Sequence, residues 1–273
     1  MIIRTYKELE FYVQMFKNRN ADLLILESSG GLGKTQLVEE LMKETEYTKI
    51  VAHVTPLRLY TYCYENRDKP IVLDDVDSLL QDDNNIALLK MLCETSDTKE
   101  ICWFSTTDIL DKQGIPERYE TKSRVIIICN NFKELSDKIS AIKDRGWHLE
   151  FKPTDEEILN KMAEIKNKVY PEMPMVEKDE VYTLIKKYAK FCDITLRTFI
   201  KGLALFKECN NGRHLDWQSR LLESLDINQK LILLDNLLNQ FDNDAARIGE
   251  WEKQGLSRRS FYNYKQKLVQ KCS

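Results

Sequence analysis

No apolar run in this chain of 273 residues approaches the ~20 needed to cross a bilayer, so nothing in it is expected to span a membrane. Its first residues, MIIRTYKELEF, lack the apolar core and small-residue cleavage site of a secretory signal. They read as the start of a folded domain, and the protein is expected to be cytoplasmic. The seven cysteines, Cys63, Cys93, Cys102, Cys129, Cys192, Cys209 and Cys272, include no C-x-x-C pair, which leaves free, buried thiols as the expectation. The three histidines, His53, His148 and His214, are scattered and read as packed side chains; no zinc is expected. Internal repeats and low-complexity tracts are absent too.

Charge is present but uneven. From Arg247 onward there are seven basic and two acidic residues, a net of +5 in a chain whose total is −3, so the first 246 residues carry −8. A small anion-binding tail on an acidic body is implied.

Strand-length apolar runs alternate with helical patterns through residue 151, the signature of a parallel sheet covered by helices. The expected strands are LLILE (23–27), KIVAHV (49–54), IVLDD (71–75), RVIIIC (124–129) and WHLEF (147–151). Residues 100–122 interrupt the alternation, with β-favouring residues at both ends and a polar, Gly-containing centre; they read as an inserted hairpin. From residue 153 the pattern is helical. Thr154 and Glu157 give a capping-box signal, and Pro171 and Pro174 separate two helices. The expected division is an α/β nucleotide-binding domain at 1–152, a helical lid at 153–212 and a basic C-terminal domain at 213–273.

The chemistry begins at LLILESSGGLGKTQLVEELMKE, residues 23–44. In a phosphate-binding loop, backbone N–H groups wrap the phosphates at a helix N-terminus, a Lys reaches the outer phosphates and a Ser or Thr coordinates Mg2+. Here Ser29, Gly30, Gly31, Leu32 and Gly33 supply the loop, Lys34 the cation and Thr35 the hydroxyl. Ser28 stands where the pattern has its first glycine, a place whose torsions tolerate a Cβ. About 40 residues later IVLDDVD ends an apolar strand in carboxylates. Asp74 is expected to hold the magnesium through water and Asp75 to polarise the attacking water, with Asp77 next in line. ATP and Mg2+ are therefore the expected cofactors.

With these residues the chain resembles the AAA+ family of P-loop ATPases over roughly residues 1–205. DDVD resembles that family's Walker B motif, with Asp75 where Glu is more usual. RVIIICNN resembles its sensor 1 strand, which places the polar residue on Asn130, or else on Asn131. AIKDRGWHLEF resembles the stretch that carries an arginine finger, so the resemblance implies that Arg145 reaches a neighbouring subunit's nucleotide. DITLRTFIKGL resembles the sensor 2 helix, which puts Arg197 on the γ-phosphate. Either arginine has an alternative as a surface salt bridge. The hairpin before the sensor 1 strand is similar to that of superfamily 3 helicases, where it touches nucleic acid. Lys112 would be the contact residue, the alternative being an ordinary solvent-exposed loop.

The tail RIGEWEKQGLSRRSFYNYKQKL reads as helix, Gly-containing turn, helix, with Ser257 as cap and Leu256, Phe261, Tyr264 and Leu268 inward. Arg258, Arg259, Tyr262, Asn263 and Gln266 then face out, as the DNA-reading residues of a helix-turn-helix do. A protein-docking module is the other reading. The fold class is thus α/β: a P-loop AAA+ parallel sheet, an all-α lid, and a C-terminal helix-turn-helix of winged-helix-like kind. The expected function is an ATPase that assembles into a ring or spiral, hexamer-like homo-oligomer and acts on DNA. A helicase or helicase loader of a mobile element or virus is the first setting. A slowly hydrolysing, ATP-gated switch that recruits a replication or transposition protein is the second, and a non-hydrolysing docking protein the third.

Overall fold

The structure, a computed structural model, describes residues 1–51, 54–75, 79, 82–104, 108–130, 140–210 and 216–272. His53, Asp77, Asn131 and His214 lie outside the described residues, as does the side chain of Cys272. The chain divides into two compact units, Met1–Lys152 and Pro153–Ser273.

The first unit is built on a sheet of six strands: β1 (Ile2–Ile3), β2 (Leu23–Glu27), β3 (Thr48–Val51), β4 (Ile71–Asp74), β7 (Val125–Cys129) and β8 (Trp147–Phe151). They run parallel in the order β1-β8-β2-β7-β4-β3. LLILE and VIIIC are buried at every position, because central strands of a sheet covered on both faces expose neither side. Five strands were expected, and their extents hold to within a few residues. The sixth, β1, is a two-residue edge strand, too short for any periodicity to mark.

Helices α1 (Tyr6–Lys17), α2 (Lys34–Met42), α3 (Pro56–Glu65) and α4 (Asp83–Leu92) cross between the strands. Their starts have local causes. Thr5 and Glu8 form a reciprocal capping box on α1, Pro56 occupies the first turn of α3, and the Asp82 carboxylate accepts from the N–H groups of Asn84 and Asn85. One face of the sheet, through Ile25, Leu73 and Ile127, packs with Leu59, Tyr60 and Leu89 in a continuous apolar core.

The inserted segment is an antiparallel ribbon of β5 (Lys99–Cys102) and β6 (Arg118–Thr121), with Ile101 opposite Tyr119. A short helix, α5 (Ile109–Gln113), anchored by buried Leu110 and ended by Gly114 at φ 66°, replaces the expected turn and carries Lys112. The ribbon is fixed to α3: Tyr119 packs on Tyr60 and Tyr64 at ring distances of 5.2 and 5.1 Å, and the Tyr60 hydroxyl donates to Pro116 O at 2.6 Å. A short helix α6 (Ser140–Lys143) precedes β8.

The second unit is helical, and no strand occurs among its described residues, so the C-terminal helices carry no wing there. Its elements are α7 (Asp155–Ile165), α8 (Met175–Tyr188), a 3-10 turn at Ala189–Phe191, α9 (Leu196–Asn210), α10 (Trp217–Ser224), α11 (Gln229–Gln240), α12 (Asp244–Lys253) and α13 (Arg258–Cys272). The Thr154 hydroxyl accepts from Glu157 N–H at 3.2 Å to start α7. Residues Leu225–Asn228 separate α10 from α11, and Asn228 caps α11 with its side chain. The lid and the tail, expected as separate domains, form one compact unit. Packing of α13 on α7 explains this, together with the Lys271 ammonium, which reaches Cys192 O at 2.6 Å and Asp193 at 2.9 Å. Phe261 and Leu268 of α13 close a core with Trp251, Ile248, Leu234 and Leu237.

Candidate functional site

Parallel strands end their carboxyl edges on one side of a sheet, and ligands of such folds bind there. At that edge β2, β7 and β4 lie side by side, with Glu27 opposite Cys129 and Asp74 opposite Ile128. The loop 28–33 follows β2 and opens α2, whose first helical residue is Lys34. Gly31 and Gly33 have φ of 84° and 80°, a region closed to most side chains, and this turns successive N–H groups inward. The N–H groups of Ser29, Gly30, Gly31, Leu32 and Gly33 make no hydrogen bond to a described residue. The Tyr6 hydroxyl ties the loop to α1 by donating to Leu32 O at 3.0 Å.

Lys34 is buried. Its ammonium donates to Ser28 O and Ser28 Oγ, both at 2.7 Å, and to Ser29 O at 3.2 Å. The residue that replaces the first glycine is therefore a ligand of the loop lysine. Beside Lys34, the Thr35 hydroxyl donates to Asp74 Oδ1 at 3.0 Å. Asp75 sits just past β4 at φ 58°, a left-handed conformation that Asp tolerates better than most residues, and its N–H donates to Ile128 O at 3.1 Å. Asn130, just past β7, donates from Nδ2 to Asp75 Oδ1 at 3.0 Å. Gly30 faces the same amide, since a Cβ there would lie 3.9 Å from Asn130 Oδ1. Loop, both carboxylates and the polar residue of β7 thus converge on one cradle.

Two further contacts had no signal in the sequence. Lys49 on β3 reaches Asp74 Oδ2 at 3.0 Å and Glu39 Oε1 at 2.7 Å. His148 Nε2 lies 2.8 Å from buried Glu27, the last residue before the loop; burial pushes the His148 pKa down, with the Glu27 hydrogen bond opposing. The packed histidine and the free thiols agree with expectation where described: Cys63, Cys93, Cys129, Cys192 and Cys209 are buried and Cys102 partly so, and burial pushes Cys63 and Cys93 up to about 12.

No protein-family model matches the chain. A curated relative, an uncharacterized 36.7 kDa protein of the nrdC-mobD intergenic region of Enterobacteria phage T4, is 27% identical over 165 residues, covering 54% of this chain and 50% of the relative. The chain thus matches about half the length of that relative. Among solved structures, the Thermotoga maritima RuvB Holliday junction branch migration motor superposes with a TM-score of 0.53 at 14% identity, covering 97% of this chain and 85% of that one. The chain has the AAA+ fold.

The remaining expected residues lie on other elements of the two units. Arg145 leads into β8 and is held by its own chain: Nη2 lies 3.2 Å from Glu94 and Nη1 donates to Ala141 O at 2.9 Å. The next residue is fixed by close approach, because a Cβ on Gly146 would meet Leu23 at 2.5 Å. Arg197 is exposed in the first turn of α9 and has no ion pair among the described residues. Lys112 is exposed on α5. Arg258, Arg259, Tyr262, Asn263 and Gln266 are all exposed on α13, while Phe261 and Leu268 are buried. Ser257 caps that helix through the N–H of Ser260 at 3.2 Å, after a turn in which Gly255 has φ 75°. Among the described residues no helix is long and apolar enough to cross a membrane.

Proposed function

We propose that this chain binds ATP with Mg2+ at the loop after β2, hydrolyses it between subunits of an oligomer, and acts on DNA as a helicase or helicase loader of a mobile element or virus. The observation that carries the reading is the convergence of Lys34, Thr35, Asp74, Asp75 and Asn130 at the carboxyl ends of three adjacent strands. The residues fit the cofactor. Inward N–H groups at a helix start suit phosphate, and a hydroxyl beside a carboxylate suits an ion that keeps most of its waters and shares substrate oxygens. No cluster of three or more carboxylate, thiol or imidazole side chains that could cage a metal occurs among the described residues. The bound ion would neutralise charge on the phosphates. Lys34 would exchange its loop carbonyls for outer-phosphate oxygens, Thr35 and Asp74 would hold the ion, and Asp75 would orient the attacking water while Asn130 holds Asp75 in place. The structural neighbour, a Holliday junction branch migration motor, and the phage source of the relative support the DNA and viral setting.

A second reading, the ATP-gated switch with slow hydrolysis, is favoured by Asp75 itself. Its carboxylate is one methylene shorter than Glu and already accepts from Asn130. The two readings separate on the full chain with DNA: a motor gives salt-sensitive, DNA-stimulated turnover and strand displacement, whereas a switch assembles on DNA with ATP and unwinds nothing.

Asp75→Asn is expected to retain ATP, since Asp74 and Lys34 are untouched, and to lose hydrolysis by ~10²-fold or more, the usual share of a positioned base. Equilibrium binding of a fluorescent ATP analogue beside phosphate release checks both halves. Normal phosphate release by the variant would move the water-orienting role off Asp75.

Arg145 gives a test of subunit sharing. If it completes a neighbour's site, the Arg145–Glu94 pair opens on assembly, and Arg145→Ala and Lys34→Ala chains, each inactive alone, regain part of the activity when mixed. A mixture that co-assembles by light scattering yet stays inactive leaves Arg145 as the surface ion pair that the free subunit displays.

A further inference from the structure

Lys49 has no place in the reading so far, yet it touches the carboxylate most important to the metal. It stands on β3, opposite Val72 of β4, so its side chain can reach along the sheet edge to Asp74 at the end of the next strand. Asp74 is consequently divided between two donors: Thr35 on Oδ1 at 3.0 Å and Lys49 on Oδ2 at 3.0 Å. The same ammonium lies 2.7 Å from Glu39 Oε1, and Glu39 belongs to α2, the helix that the phosphate loop opens. Asp74 is 13% exposed at its side chain and Lys49 26%, so solvent screens this contact less than a surface pair.

We propose that Lys49 is a positioning residue that sets the metal requirement of the nucleotide site, holding the Asp74 carboxylate in the absence of Mg2+ and competing with Mg2+ for it when nucleotide binds. This rests on the nucleotide site described above. The physics is competition between cations for one anion. An ammonium in contact with Asp74 neutralises much of its charge, and like charges within a few ångströms oppose each other. Glu39 supplies the other half of the balance. By sharing the ammonium it draws Lys49 away from Asp74, so Glu39 and Asp74 form a two-position seat for one charge. With Mg2+ on Asp74, the seat at Glu39 keeps Lys49 paired.

The two variants therefore shift the metal requirement in opposite directions. Lys49→Met keeps the aliphatic stem and removes the charge; the Mg2+ concentration for half-maximal binding of a fluorescent ATP analogue should fall by several-fold, to about tenfold. Glu39→Gln leaves Lys49 wholly to Asp74, and the same midpoint should rise. Both would be measured on the full-length protein by titrating MgCl2 at fixed analogue, with thermal unfolding as a record of folding. A purely structural lysine would alter the unfolding temperature and leave both midpoints where they were, which overturns the proposal. Midpoints that rise in both variants overturn it as well, since Lys49 would then be aiding metal binding. If the parent does not bind the analogue at all, the nucleotide site itself falls, and Lys49 with it; a parent that binds it with no dependence on Mg2+ keeps the site and overturns the role given to Lys49. A parent that binds normally beside variants that do not shift removes Lys49 alone.

Discussion

Lys34→Ala is expected to lose detectable nucleotide turnover, a fall of ~10²–10³-fold or more, because the substitution takes the only loop cation away from where phosphoryl charge accumulates. The expectation follows from burial as well as motif. Lys34 is 6% exposed, held by Ser28 O, Ser28 Oγ and Ser29 O, so its ammonium is already desolvated and aimed at the loop interior. Phosphate oxygens would replace those three acceptors without first stripping water from the lysine. A buried ammonium that is simply removed leaves three oxygens to find other donors, so some loss of stability accompanies the loss of function. Phosphate release and analogue binding, read beside an unfolding curve, separate the two effects. A folded Lys34→Ala protein with parental turnover would place the nucleotide elsewhere.

Much of this site was legible in the sequence because its parts are local. The loop and its helix start are contiguous in GGLGKT, and IVLD and RVIIIC announce buried strands whose next residues, Asp75 and Asn130, must emerge at the sheet edge. Strand alternation likewise gave the parallel sheet without any tertiary information, since central strands buried on both faces have a composition of their own. What escaped notice is non-local or too short. Lys49 occurs in TKIV as an ordinary strand lysine, and only the pairing of β3 with β4 brings it to Asp74. Ile2 and Ile3 form a strand solely because β8 offers them an edge. The segment of α5 reads as a turn because its centre is polar and contains a glycine, whereas that glycine, Gly114, ends a helix there. The merger of lid and tail depends on Lys271 finding Asp193 and the Cys192 carbonyl some 80 residues upstream, roughly the separation no local pattern can encode.

The replacement of both Arg258 and Arg259 by Ala tests the proposed DNA surface of α13. The +5 charge from Arg247 onward is less available than the sequence alone implies. Arg247 and Lys265 pair with Asp244, Lys253 pairs with Glu250, and Lys271 pairs with Asp193 and Asp155. Arg258, Arg259 and Lys267 have no carboxylate partner among the described residues, which concentrates the uncompensated charge on one helix. The two arginines occupy its exposed first turn with Tyr262 and Asn263 one turn on and Gln266 two, while Trp251 donates to Ser260 Oγ at 3.0 Å and packs edge-on against Phe261 at 5.8 Å to fix the helix. Because both arginines are exposed and unpaired, stability should change by no more than about 0.5 kcal/mol. Basal ATPase activity should be unchanged as well. DNA affinity should fall about tenfold or more, and the plot of log affinity against log salt should become shallower by about one to two units if both side chains neutralise phosphates. Fluorescence anisotropy with a labelled duplex over a range of salt concentrations measures both quantities. Should the double variant bind as the parent does while Lys112→Ala does not, the ribbon that carries α5 is the DNA contact. Equal affinity and equal slope in all three proteins would leave α13 as a surface for docking another protein.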